Sequence, residues 1–142
     1  MYNLVPEITP KGDHLMKKDM VIYPAIFKQD GKVVFVRIPD LKGGFTQGDD
    51  IVDAVKMAED LIGNLLENET TYPVASNVDK IHLEADEKLI YVTADLAEFR
   101  RKYSKTVRKN VTIPEYLNEM AKDQKINVSQ LLTKALKEEL GV

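Results

Sequence analysis

Residues 106–113 read TVRKNVTI, a β-branched run whose side chains alternate between apolar and polar, and Pro114 follows at once. A period of two belongs to a strand, and the proline fits the first turn of a helix, where its missing N–H leaves nothing unpaired. Two short amphipathic helices are expected next. Leu117, Met120 and Ala121 share one face of the first, and Val128, Leu131, Leu132, Ala135, Leu136 and Leu140 line the second. Asn127 is a natural N-cap, with Gln130 three residues on, the spacing of a capping box. One strand and two helices in fewer than 40 residues cannot bury enough apolar surface to fold alone. A lone strand also leaves its backbone N–H and C=O groups unpaired. Antiparallel pairing with the same strand of a second copy answers both problems, so the back of the chain is expected to be a dimer.

Alternation then assigns the two faces of that strand. Val107, Val111 and Ile113 point toward the helices, and Arg108, Asn110 and Thr112 point outward. The outward set suits base reading. A two-stranded ribbon fits the major groove, where Arg grips guanine, Asn grips adenine and Thr meets thymine. The second helix opens with Asn127, Val128 and Ser129, whose free N–H groups and positive dipole end make a phosphate clamp. Lys105 and Lys109 add phosphate contacts. Residues 100–110, RRKYSKTVRKN, hold six basic side chains and no acidic one.

The charge is divided along the chain. Residues 1–98 carry 10 basic and 18 acidic side chains, a net of −8, whereas residues 99–142 carry 10 and 5, a net of +5. An acidic front suits a basic protein partner and a basic back suits nucleic acid, although a merely lopsided surface gives the same counts. In the front, residues 20–28 and 33–38 are apolar runs about a QDGK turn, a hairpin signal, and FTQG offers a short third strand. An amphipathic helix follows, with Ile51, Ala54, Val55, Ala58, Leu61, Ile62 and Leu65 at helical spacing and Asp50 and Asp53 at its start. KIHLEA and KLIYVTA read as another strand pair, and DLAEFRRKY as a closing helix. The expected class is α+β, a β-β-β-α-β(-β)-α module followed by a strand-helix-helix module. The boundaries fall at 1–19 for an N-terminal extension, 20–103 for the front domain and 104–142 for the tail.

With zero cysteines there is no disulfide framework, thiol nucleophile or thiolate metal site. His14 and His82 have no ligand spacing between them and read as surface residues. Asp40, Asp49, Asp50 and Asp53 cluster in sequence, but Asp50 and Asp53 are helix-start residues and Asp40 belongs to a Pro-Asp turn. LKGGFTQGD matches no phosphate-loop spacing. No catalytic residue, metal or cofactor is expected, no run approaches the ~20 apolar residues of a membrane span, and the N-terminus lacks a secretory signal. The expectation is a cytoplasmic protein with no membrane partner.

VRKNVTIPEYLNEMAKDQKINVSQLLTKAL resembles a ribbon-helix-helix domain. By that resemblance Arg108, Asn110 and Thr112 face the bases and Asn127, Val128 and Ser129 clamp phosphate. Lys109 departs from the family pattern, which carries an apolar residue there. The front, YPAIF followed by GKVVFVRIPDLKGGFTQGDDIVDAVKMAEDLIGNLLE and YVTADLAEFRRK, is similar to HicB-type antitoxins. That resemblance implies a truncated ribonuclease H-like domain without its full carboxylate set. It implies binding and silencing of a HicA-type toxin that cleaves messenger RNA, together with repression of the chain's own operon. Asp40, Phe45, Asp49 and Asp50 are then candidate toxin contacts, with operator DNA the second partner. The tail gives a homodimer, and a tetramer stays open. Two alternatives stand beside this reading: a ribbon-helix-helix regulator whose front senses a small molecule, and a nuclease with a ribonuclease H-like front.

Overall fold

The computed structural model describes residues 19–142; His14 and, apart from Asp19, the expected extension over 1–19 lie outside the described residues. The described residues fall into two compact units, one ending at Ser104 and the other spanning Lys105–Val142. In the first, β1 (Met20–Asp30), β2 (Val33–Arg37), β3 (Phe45–Gly48) and β4 (Glu87–Asp95) form one antiparallel sheet in the order β3-β2-β1-β4. Helix α1 (Ile51–Leu66) and helix α2 (Leu96–Tyr103) complete the unit. The β1–β2 hairpin and the short β3 match the expectation from their apolar runs.

Alternation along the strands builds the core. Val21, Tyr23, Ala25 and Phe27 of β1, Val34 and Val36 of β2, and Val92 and Ala94 of β4 are buried together with Ala54, Ala58, Ile62 and Leu66 of α1 and Leu96 of α2. The buried stripe of α1 thus runs every four residues, with two alanines at its start that let the helix lie close to the sheet. Ile51, expected on that stripe, is exposed, while Val55, Leu61 and Leu65 pack at its margins. The start itself is as expected: Asp50 Oδ1 accepts from Asp53 N at 2.7 Å. Pro24 lies in the central strand, at a point where β2 has already ended opposite Ile26. One edge of β1 is open there, which is where a strand tolerates a missing N–H.

The strand expected at KIHLEA does not form. Asn77 caps a 3₁₀ turn over Val78–Lys80, residues 81–84 are irregular, and Glu87 N donates to Glu84 O at 3.1 Å, closing a turn straight into β4. His82 is exposed on this irregular stretch, not on a strand, and Leu83 is exposed beside it. A segment without a buried face gains nothing from pairing.

In the second unit, α3 (Glu115–Asp123) and α4 (Val128–Leu140) appear where the periodicity placed them. Pro114 is the N-cap residue and not the first helical one; its carbonyl accepts from Asn118 N at 3.2 Å. Asn127 Oδ1 caps α4 by accepting from Gln130 N at 3.1 Å, and Gly141 closes it at a positive φ of 72°. Residues 106–113 form no strand in the single chain. A strand needs a ladder partner, and this unit offers no other strand to supply one.

Candidate functional site

The tail is notable for what it leaves uncovered. None of its residues is buried, and Asn118, Ala121, Leu132 and Gly141 alone are half-buried. Val107 is 87% exposed and Leu131 56%, with Val111, Ile113, Leu117, Met120, Leu136 and Leu140 exposed as well. Two helices with clean apolar stripes therefore present those stripes to solvent. A surface of that kind marks an interaction site.

Arg108, Asn110 and Thr112 are exposed on the extended segment, as are Lys105 and Lys109. At α4 the expected clamp is modified. The Asn127 carboxamide is already engaged in capping Gln130 N, which leaves the N–H groups of Val128 and Ser129 as the first-turn donors. Ser129 also takes part in the helix interior, its carbonyl accepting from Thr133 Oγ1 at 2.9 Å.

The four candidate toxin contacts of the front unit differ in how they are engaged. Asp40 is half-buried, and its carboxylate accepts from Ser76 N at 3.0 Å and from Ser76 Oγ. It fastens the loop after α1 and is not a free contact. Asp50 is engaged as the helix cap. Asp49 is exposed, with its backbone N–H donated to Asp53 Oδ2 at 2.8 Å, and Phe45 is 68% exposed on β3. Residues 49–67, which are α1 and its two ends, hold six acidic side chains against the single Lys56.

Sequence reasoning missed the fastenings of the loop between α1 and the 3₁₀ turn. The fully buried Tyr23 donates its hydroxyl to Pro73 O at 2.7 Å. Arg100 of α2 donates to Asp19 Oδ2 at 2.6 Å, to the Glu67 carbonyl at 2.8 Å and to the Tyr72 hydroxyl at 3.0 Å. Burial works against the Arg100 charge, yet its bonds to Tyr72 and Asp19 hold its pKa above the ordinary value. Burial, then the hydrogen bond to Asp19, raises Tyr72. No local pattern announces partners separated by 28 to 81 positions. Among the described residues no group of three or more His, Asp or Glu side chains is placed to hold a metal ion, and no helix is long and apolar enough to cross a membrane.

A family model, described as a HicB-like antitoxin of bacterial toxin-antitoxin systems, matches residues 23–136. The match runs through both units. Among solved structures, a chain from a toxin-antitoxin complex of Streptococcus pneumoniae is 24% identical, with 84% of this chain and 99% of that chain covered at a TM-score of 0.52. The antitoxin HicB of Burkholderia pseudomallei is 26% identical, covering 84% of this chain and 96% of that one at a TM-score of 0.47. No curated protein matches.

Proposed function

Because this chain belongs to the HicB-like antitoxin family, we propose that it binds and neutralises a HicA-type, RNA-cleaving toxin and represses its own operon. Toxin binding falls to the unit ending at Ser104 and operator binding to Lys105–Val142, with residues 104–113 as the basic arm between α2 and α3. The chain acts by binding and performs no catalysis.

One observation carries the operator half of this reading: the tail buries no residue, although both its helices are amphipathic and α4 is capped at both ends. A second copy laid antiparallel along residues 106–113 supplies the missing ladder and covers Val107, Val111, Ile113 and the α4 stripe. Arg108, Asn110 and Thr112 then project in pairs from the outer face of a two-stranded ribbon. The first-turn N–H groups of α4, at Val128 and Ser129, hold flanking phosphates, with Lys105 and Lys109 beside them.

The toxin half is supported by charge. A basic toxin is steered toward α1, where Asp49 and the exposed Ile51 and Val52 follow Phe45 in the chain. Asp50, exposed beside Asp49 while it caps α1, and the half-buried Asp40, held by Ser76, complete the set of candidate contacts. Co-expression with the product of the adjacent gene, followed by capture on a tagged copy of this chain, tests the reading. A stable complex whose ribonuclease activity is silent is the expected result. A neighbouring toxin that stays active and unbound would refute it.

A further inference from the structure

Among the described residues, four have a positive backbone φ: Gly31, Gly43, Gly141 and Lys125, the last at 54°. Lys125 lies just past the end of α3. Ile126 N donates to Ala121 O at 2.9 Å and Lys125 N to Lys122 O at 3.0 Å, the pair of bonds that closes a helix on a left-handed residue. The end of α4 repeats the pair around a glycine, with Val142 N donating to Lys137 O at 3.0 Å and Gly141 N to Glu138 O at 3.3 Å. One backbone problem is thus solved twice, and the turn between α3 and α4 takes the more strained solution. A Cβ crowds the following carbonyl in the left-handed region, so geometry alone favours glycine or asparagine at position 125.

What the lysine supplies is a charge in a particular place. It stands three residues before Val128, whose N–H opens α4 with that of Ser129, and the Asn127 side chain between them is occupied as the cap. Lys125 is exposed, and among the described residues its ammonium forms no ion pair, whereas Lys122 of α3 pairs with Glu119 at 3.4 Å. It is the only charged residue between Asp123, which ends α3, and Lys134. No carboxylate on that stretch repels an anion. We propose that Lys125 is a phosphate contact of the operator interface, a cation kept beside the opening of α4 in spite of its strained backbone. This rests on the operator reading above and adds to it a residue outside both the ribbon and the α4 cap. Disfavoured backbone conformations persist where function needs the side chain. The N–H groups of Val128 and Ser129 fix where a phosphate sits, and a lysine beside them, a compact charge on a flexible stem, adds attraction without demanding a geometry.

Two substitutions separate this role from a structural one. Lys125→Asn removes the charge and installs a residue that tolerates the left-handed region, whereas Lys125→Arg keeps both charge and strain. Gel shifts of each full chain on duplexes from upstream of its own gene and on scrambled duplexes, over a salt series, are read beside melting followed by circular dichroism. Lys125→Asn is expected to melt at or above the parent's temperature, yet to bind both duplexes ~3–10-fold more weakly, with the salt slope lower by about 1 for each bound copy. Lys125→Arg is expected to bind as the parent does. A purely structural role gives the opposite order, with asparagine at least as good as lysine. A Lys125→Asn chain with the parent's affinity and slope overturns the proposal, and so does a Lys125→Arg chain as weak as Lys125→Asn. A parent chain that binds no duplex overturns the operator reading itself, and this inference with it.

Discussion

Arg100 Nη1 lies 2.6 Å from Asp19 Oδ2, joining residues 81 positions apart. The same guanidinium reaches the carbonyls of Glu67 and Glu69 and the hydroxyl of Tyr72. One side chain thereby ties α2 to the end of α1, to the following loop and to the start of β1. Asp19 and Arg100 are 26% and 21% exposed at their side chains, so solvent screens the pair only in part.

Replacing Arg100 with Met leaves the Asp19 carboxylate with the Tyr72 hydroxyl but without its cationic partner, and takes this donor from the Glu67 and Glu69 carbonyls at once. The expected loss is about 2–4 kcal/mol of stability in the front unit. Urea unfolding of the full chain checks it through a lower midpoint at unchanged slope.

Tyr23 makes a pH prediction. Burial first, then the negative charge of Asp40 and the neighbouring Tyr72, pushes its phenol from 10.0 up to about 12. The folded chain therefore holds this proton more tightly than the unfolded chain. The stabilisation is whole below the unfolded value of 10.0 and drains away as the pH rises toward about 12. Tyr23→Phe, which also loses the bond to Pro73 O, should cost ~0.5–1.5 kcal/mol at neutral pH. Its stability should then fall less steeply than the parent's in the alkaline window. Chemical denaturation across that window, parent against variant, reads the difference, and parallel curves would contradict it.

Gly63 is set by close approach. A Cβ there would fall 2.3 Å from Phe99 Cδ2, inside the ring that α2 lays against α1. Gly63→Ala should therefore destabilise by ~1–3 kcal/mol, and Phe99→Leu in the same chain should recover part of that. Thermal unfolding of the single and double variants measures both, and a Gly63→Ala chain as stable as the parent would show that the helices part freely.

On DNA, Arg108 and Lys105 should separate cleanly. Arg108→Ala should weaken operator binding by ~1–3 kcal/mol and relax base preference at one position. Lys105→Ala should weaken binding alike on all sequences and lower the salt slope by about 1. Gel shifts on operator and scrambled duplexes at several salt concentrations distinguish them, and a selective, full-strength Arg108→Ala chain would remove that residue from the reading face.

Local patterns were legible in the sequence wherever burial and periodicity agree. The hairpin about Gly31, the capped start of α1 at Asp50 and the α4 cap at Asn127 are written within four or five residues of themselves. KIHLEA misled because its alternation carries no buried face; His82 and Leu83 both lie in solvent. Asp40 read as a turn residue because Ser76, the group it holds, lies 36 positions away. Phe35, 43% exposed, shows why the outer side of the sheet was not legible. Set between Val34 and Val36, it makes β2 apolar on both faces, a pattern that also describes a buried strand. Residues 106–113 show the opposite case: their alternation is plain, but the ladder it implies needs a second chain.

Amide hydrogen exchange over residues 107–113 of the full chain examines that ladder at its source. Two copies joined antiparallel through this segment should give slow exchange at alternate positions, with the protection disappearing on dilution as the pair separates. Exchange at the rate of an unstructured peptide, at concentrations where sedimentation finds two or more copies, would mean that the ribbon does not exist and that Arg108, Asn110 and Thr112 are not presented to DNA.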